Sequence, residues 1–195
     1  KPMRENKLND LEAKDWMKFT KTWFVHNPPP RKKAEVLHPA KYPEGMIEEF
    51  IRFFTKENQV VFDPFLGTGS TLVACHNSNR KGIGIELQEK YGQIAKDRLQ
   101  KLREQTAEND QNHTQTVILG DSFDVKNIWD KHKLSKIDFL ICSPPYGPML
   151  NKKGLVQEKR AEQGLDTKYS EDKQDFGNIS DYDQFVSKLV DLFKE

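Results

Sequence analysis

Residues 60–74 constrain this chain more tightly than any other stretch. Val60, Val61 and Phe62 form an apolar run that leads into Asp63-Pro64-Phe65-Leu66-Gly67-Thr68-Gly69-Ser70-Thr71, and Leu72-Val73-Ala74 come next. That order predicts a buried strand, a glycine turn and the start of a helix. Glycines there let the backbone come close to a small molecule, and a helix N-terminus offers unpaired N–H groups. Taken alone, the turn suits several nucleotide and cofactor folds, or a tight strand-to-helix turn that binds nothing. Residues further along the chain decide between them.

The length of 195 residues allows one domain with a proper core. No apolar run approaches a membrane span and no signal-peptide pattern opens the chain, so no membrane partner is expected. Cys75 and Cys142 lack zinc-ligand or redox spacing, which points to a reduced, intracellular (cytoplasmic) protein without a structural metal. A net charge of +1 is neutral on nucleic acid, although Arg31-Lys32-Lys33 and Lys152-Lys153 flank regions of interest. The first residue is Lys1, which fits an excised or processed piece.

Residues 1–40 read as an irregular N-terminal extension, with Trp16, Phe19, Trp23 and Phe24 as candidate anchors to a core and Pro28-Pro29-Pro30 as an extended stretch. Tyr42-Pro43-Glu44 opens a helix with Met46, Ile47, Phe50, Ile51 and Phe54 on its apolar face. Beyond the glycine turn, a helix to about Asn77 precedes a second strand at 82–86, and a long helix spans 89–103. A polar loop at 104–115 leads to a third strand at 116–120, a short helix around 124–133 and a fourth strand at 137–142. Residues 147–180 read as a long mobile loop, and a helix resumes at Asp181 with Tyr182, Phe185, Leu189 and Phe193 on one face.

Strands alternating with helices predict an α/β domain, a mostly parallel sheet with helices on both faces. Ligands of such sheets sit outside the carboxyl ends of the strands. Asp63, Glu86, Asp121 and Ser143 fall at or just past the four strand ends, and so converge on one edge. Glu86 lies where a carboxylate can hold both hydroxyls of a ribose. Asp121, with Ser122 beside it, lies where one can accept from an adenine amino group. These features suit a nucleoside cofactor and leave NAD and S-adenosylmethionine both open.

Ser143-Pro144-Pro145-Tyr146 separates the two. Successive prolines fix φ and hold the preceding residues extended, which aims the serine hydroxyl and nearby carbonyls at one point. An exocyclic amino nitrogen is a poor nucleophile because its lone pair is conjugated into the base. Acceptors for its hydrogens favour a more tetrahedral nitrogen, ready for in-line attack on a sulfonium methyl. Tyr146 is placed to stack on a base flipped out of the duplex.

By these motifs, the chain resembles the amino-methylating DNA methyltransferases that act on cytosine N4 or adenine N6. Asp63-Pro64-Phe65-Leu66-Gly67-Thr68-Gly69 is similar to their S-adenosylmethionine motif. Ser143-Pro144-Pro145-Tyr146 matches their catalytic motif, and His38-Pro39-Ala40-Lys41-Tyr42-Pro43-Glu44 looks like their other cofactor-side motif. The resemblance covers roughly residues 36–146 and implies a Rossmann-like fold binding S-adenosyl-L-methionine. It assigns Asp63, Phe65, Gly67, Gly69, Thr71, Glu86, Asp121 and Ser122 to the cofactor, with Lys41 and Pro43 near its methionine end. Ser143, Pro144, Pro145 and Tyr146 would hold the target base. Serine at the head of the catalytic motif follows the family's trend for cytosine N4 over adenine N6.

Two departures from the family stand out. The cofactor motif precedes the catalytic motif, the reverse of many relatives with the His-Pro-Ala-Lys signature. The fifth strand, hairpin and target-recognition domain of the family have no counterpart after residue 181. The expectation is therefore a core at 41–146, a mobile loop at 147–180 placed to contact DNA, and a core helix at 181–195 after which the chain is truncated. Double-stranded DNA would be the partner, with target recognition on a missing C-terminal segment or a partner chain. The alternatives are an RNA guanine-N2 methyltransferase, whose families share a similar glycine turn, and a catalytically silent DNA-binding or assembly fragment of a methylase. Carbon-5 methylation is disfavoured, since Cys142 precedes Ser143 at a strand end and Cys75 lies in a helix.

Overall fold

The computed structural model describes residues 6–26, 43–105, 115–145, 162 and 175–194. A four-stranded sheet runs through the centre, built from β1 (Val60–Asp63), β2 (Lys81–Glu86), β3 (Gln115–Leu119) and β4 (Phe139–Leu140). Every pairing is parallel and the order is β3-β2-β1-β4, with Val60 opposite Lys81 and Gly82 opposite Gln115. The sheet is Rossmann-like in this order, a class of sheet whose ligands bind outside the carboxyl edge.

Side chains alternate between the two faces, and helices cover both. On one face Val60, Phe62, Ile83, Ile85 and Ile118 pack with Ile128 of α5 (Val125–His132), and Trp129 meets Phe62 edge-on at 5.0 Å. On the other face Val61 packs with Ile47 and Ile51 of α2 (Glu44–Phe54) and with Ala74 and Cys75 of α3 (Ser70–Asn77). Leu72 continues that layer to Ala95 and Leu99 of α4 (Glu89–Gln105). Gly84 of β2 faces the turn, and a Cβ on it would sit 2.7 Å from Leu66 Cδ1, so a larger residue would push the Leu66 side chain aside.

The N-terminal residues depart from the irregular chain expected of them. Ala13–Phe19 forms a helix, α1, without a side-chain N-cap and with no fully buried residue, so it carries little periodic signal. It is held by contacts distant in sequence. Phe19 stacks on Phe53 at 4.5 Å and Trp16 tilts against it at 4.9 Å, and the fully buried Asn9 accepts from Trp16 Nε1 and donates to the Phe53 carbonyl. Phe24 meets Phe50 as expected of an anchor, whereas Trp23 is 69% exposed.

Two further elements differ from expectation. β4 is two residues long, although Asp138 N–H and Ile141 N–H extend its hydrogen bonds to the carbonyls of Val60 and Phe62. The last described helix, α6 (Tyr182–Leu192), is capped by Asp181, which accepts from Gln184 N–H at 2.8 Å. Its inward line is Phe185, Leu189 and Leu192, while Tyr182 is 75% and Phe193 48% exposed. The expected loops at 104–115 and 147–180 fall largely outside the described residues, as do the triple proline, the basic triplet and Lys152-Lys153. No described helix is long and apolar enough to cross a membrane.

Candidate nucleoside and base site

The carboxyl edge of the sheet gathers the turns after all four strands. After β1, Gly67 and Gly69 both adopt left-handed backbone, with φ of 57° and 87°. The turn folds back over β2: Leu66 N–H donates to the Ile85 carbonyl at 3.0 Å and Gly67 N–H to Glu86 Oε2 at 2.7 Å. Glu86 Oε1 accepts from Gln88 N–H at 2.8 Å. Burial pushes the Glu86 carboxyl up to about 7, against the pull of those two amide hydrogen bonds, and the nearby Asp63 and Asp175 charges raise it further.

Several expected cofactor residues lie beneath the rim and not on it. Asp63 is fully buried; it accepts from Phe65 N–H at 2.9 Å and from the Thr71 hydroxyl in a short contact. Both side chains therefore brace the turn from below. Gly69 faces α4, where a Cβ would lie 2.8 Å from Ala95 Cβ. Ser122 is buried and donates its hydroxyl to the Pro64 carbonyl, tying the β3 exit to the β1 turn. The rim itself is made by the half-buried Phe65, Gly67 and Asp121, and the Asp121 carboxylate accepts from Phe123 N–H at 3.0 Å; Glu86 lies just beneath it, 8% exposed.

Ser143, Pro144 and Pro145 follow β4 and are half-buried on the same edge, beside β1. Burial pushes the neighbouring Cys142 thiol up to about 12 and raises Cys75 as well, so both are protonated thiols at neutral pH and neither is a nucleophile. Pro43 is half-buried at the N-terminus of α2. Lys41 and Tyr146 lie outside the described residues.

One functional contact escaped the motif reading. Arg98 of α4 donates to the Thr68 carbonyl at 2.6 Å and pairs with the Glu44 carboxylate, which also receives the Ser70 hydroxyl at 3.5 Å. It thereby clamps the glycine turn to the start of α2. An arginine one turn beyond Ala95, within the stripe that carries Leu99, was the available signal. Arg98→Ala should lower stability by about 2 kcal/mol, as expected for lost charge-assisted hydrogen bonds, with partial recovery in Arg98→Lys; thermal unfolding reads both.

The donors and acceptors fit a nucleoside. Glu86 offers a carboxylate at the lip of a glycine turn, where a vicinal diol can donate to it, and Asp121 stands one strand away. Fold and site together define an α/β domain whose carboxyl sheet edge carries a glycine turn over a buried carboxylate, with a second, proline-fixed polar corner beside it.

Residues 1–97, just under half of the chain, match the family model described as DNA methylase. The relatives include the Type II methyltransferase M.BglII of Bacillus subtilis, 37% identical over 73 residues, which are 37% of this chain and 20% of that protein. The putative methylase YubD of Escherichia coli K12 is 43% identical over 76 residues, 37% of this chain and 34% of the relative. The chain thus matches only a fifth to a third of the length of these two relatives. Among solved structures, M1.HpyAVI in complex with SAM is 39% identical over 36% of this chain and 35% of its own, with a TM-score of 0.35. TTHA0409, a putative DNA modification methylase of Thermus thermophilus complexed with S-adenosyl-L-methionine, is 28% identical over 56% of this chain and 39% of its own, with a TM-score of 0.42. The family match ends before β3, so the Ser143–Pro145 corner lies beyond it.

Proposed function

We propose that this chain is the cofactor-binding and catalytic part of a DNA methyltransferase that moves a methyl group from S-adenosyl-L-methionine to an exocyclic amino nitrogen, cytosine N4 in preference to adenine N6. The observation that carries the reading is the meeting, on one sheet edge, of the Gly67–Glu86 pair with the Ser143-Pro144-Pro145 corner on the adjacent strand exit. The DNA methylase relationship of residues 1–97 supports it. Residues 41–146 form the core in this reading, and double-stranded DNA is the partner.

The cofactor, when bound, supplies an electrophilic methyl group on a sulfonium. Glu86 and the Gly67 turn hold its ribose, and Asp121 its base. The Ser143 hydroxyl and the carbonyls fixed by Pro144 and Pro145 accept the hydrogens of the target amino group. This would free the nitrogen lone pair; as the new nitrogen–carbon bond forms, the methyl–sulfur bond would break to leave a neutral thioether, and the nitrogen would release one proton to solvent. Tyr146 stacks on the flipped base. The serine at the head of the corner follows the family's trend for cytosine N4, aspartate there being the trend for adenine N6.

The test is methyl transfer to duplex DNA with the product nucleoside identified by mass spectrometry. N4-methylcytosine is expected, and N6-methyladenine would reverse the choice of base. Methylated guanosine in RNA with none in DNA would favour the RNA alternative. Cofactor binding without any product would make the chain a silent fragment. Ser143→Ala should lower kcat about a hundredfold while leaving cofactor affinity within twofold, because it removes an acceptor aimed at the reacting nitrogen.

A further inference from the structure

Glu44 and Arg98, 54 residues apart in the chain, form an ion pair that joins three elements. Glu44 is the first residue of α2 and follows Pro43, whose carbonyl accepts from Ile47 N–H at 3.2 Å. Its carboxylate receives the Arg98 guanidinium from α4 and, at 3.5 Å, the hydroxyl of Ser70 from the start of α3. Another nitrogen of the same guanidinium donates at 2.6 Å to the Thr68 carbonyl, between the two left-handed glycines. Each element also has its own seat in the core. Ile47 and Ile51, both 0% exposed, hold α2 against Val61, Ala74 and Cys75. The buried Asp63 with Thr71, and Leu66 N–H on the Ile85 carbonyl, hold the glycine turn. What the pair adds is a fixed relation between these two segments, with Pro43 at the head of one and Thr68 within the other. The Arg98 and Glu44 side chains are 20% and 30% exposed, sheltered enough for their attraction to survive salt.

We propose that Glu44 and Arg98 are a pair of positioning residues that set the methionine end of the cofactor site against its nucleoside end. The proposal rests on the S-adenosylmethionine reading above, in which Pro43 lies near the methionine end and the Gly67 turn holds the ribose. One ligand then spans two chain segments, and its sulfonium is the joint between the halves that each segment holds. Methyl transfer in line with the attacking nitrogen depends on where that joint sits, and a misplacement of about 1 Å costs about a hundredfold in rate. Arg98 reaches both segments at once through the fork of its guanidinium, which a lysine cannot reproduce.

Calorimetric titration with two probes reads the division. S-adenosylhomocysteine carries both ends of the cofactor, whereas 5′-methylthioadenosine keeps the nucleoside and lacks the amino-acid half. Arg98→Met, which keeps the aliphatic stem and removes the charge, should weaken S-adenosylhomocysteine about tenfold and leave methylthioadenosine within twofold. Glu44→Ala should show the same split, and the double variant should lose no more than the worse single one, because the two side chains act as one unit. Arg98→Lys, which keeps the charge for folding and loses the fork, should give a smaller split of the same kind. Equal losses for both probes, no loss for either, or additive losses in the double variant would make the pair a structural brace and overturn the proposal. A wild-type chain that binds the two probes equally would overturn it while leaving the nucleoside site standing. A folded wild-type chain that binds neither would overturn the cofactor reading and this pair together.

Discussion

Glu86→Gln should flatten the pH dependence of the ligand-free chain's stability, at the cost of one of the two amide hydrogen bonds to this side chain, and at the same time nearly abolish its cofactor binding. In the unfolded chain this carboxyl titrates near its ordinary 4.5, and folding lifts it to about 7. Below pH 4.5 the group is protonated in both states and has no pH-dependent effect. Between 4.5 and 7 the folded state keeps a proton that the unfolded state has released, so stability falls as pH rises. Above 7 the full penalty remains, about 3 kcal/mol as an upper figure at 1.4 kcal/mol per pH unit. Glutamine keeps the shape and removes the charge, so its melting temperature should stay flat from pH 5 to 8 while that of the wild type declines.

Binding moves the other way. A ribose diol donates two hydrogen bonds to an ionised carboxylate, whereas glutamine turns an N–H₂ toward one of them. The loss should be at least a hundredfold, on the scale of two charge-assisted hydrogen bonds. For the wild type, affinity should rise through about pH 7 as Glu86 ionises, with a proton released on binding near neutrality. Calorimetry in buffers of different ionisation heat measures that proton directly. A wild-type affinity independent of pH between 6 and 8 would contradict the role given to this carboxylate.

Gly69→Val should lower the stability of the fold by about 2–5 kcal/mol. The residue has φ of 87°, a conformation that costs a branched side chain about 1–2 kcal/mol. Its Cβ would lie 2.8 Å from Ala95 Cβ and 3.2 Å from Ala95 Cα, so the neighbour that must move is the α4 backbone. Overpacking of this kind costs about 1–3 kcal/mol more. A fall of about 10 °C in melting temperature is expected for a chain of this size, and Gly69→Ala should show a smaller drop of the same sign. A melting temperature within 2 °C of wild type would mean that α3 and α4 are not packed through this glycine.

The alternation of strands and helices was legible because each strand is an apolar run closed by a turn residue, and because the helices after them carry a periodic face. Placing Asp63, Glu86, Asp121 and Ser143 at one sheet edge followed from that alternation alone. Depth was not legible. Asp63, Thr71 and Ser122 look like rim residues in one dimension, yet the turn needs acceptors and donors beneath it, and these three side chains supply them. Contacts between distant elements were also hidden. Nothing local in Ala13–Phe19 announces a helix whose support is Phe53, and nothing near Phe176 announces a partner at Phe65. The face of α6 was misjudged for the same reason: its pattern contains two apolar lines, and only packing against Phe176 and the core selects Phe185, Leu189 and Leu192.

Whether the glycine turn and Glu86 hold S-adenosylmethionine is decided by one titration. S-adenosylmethionine added to the folded chain at pH 8 should give one-site binding that NAD does not compete away, and Glu86→Gln should lose it while remaining folded. No binding by a folded wild-type chain, or equal binding by wild type and Glu86→Gln, would contradict the account.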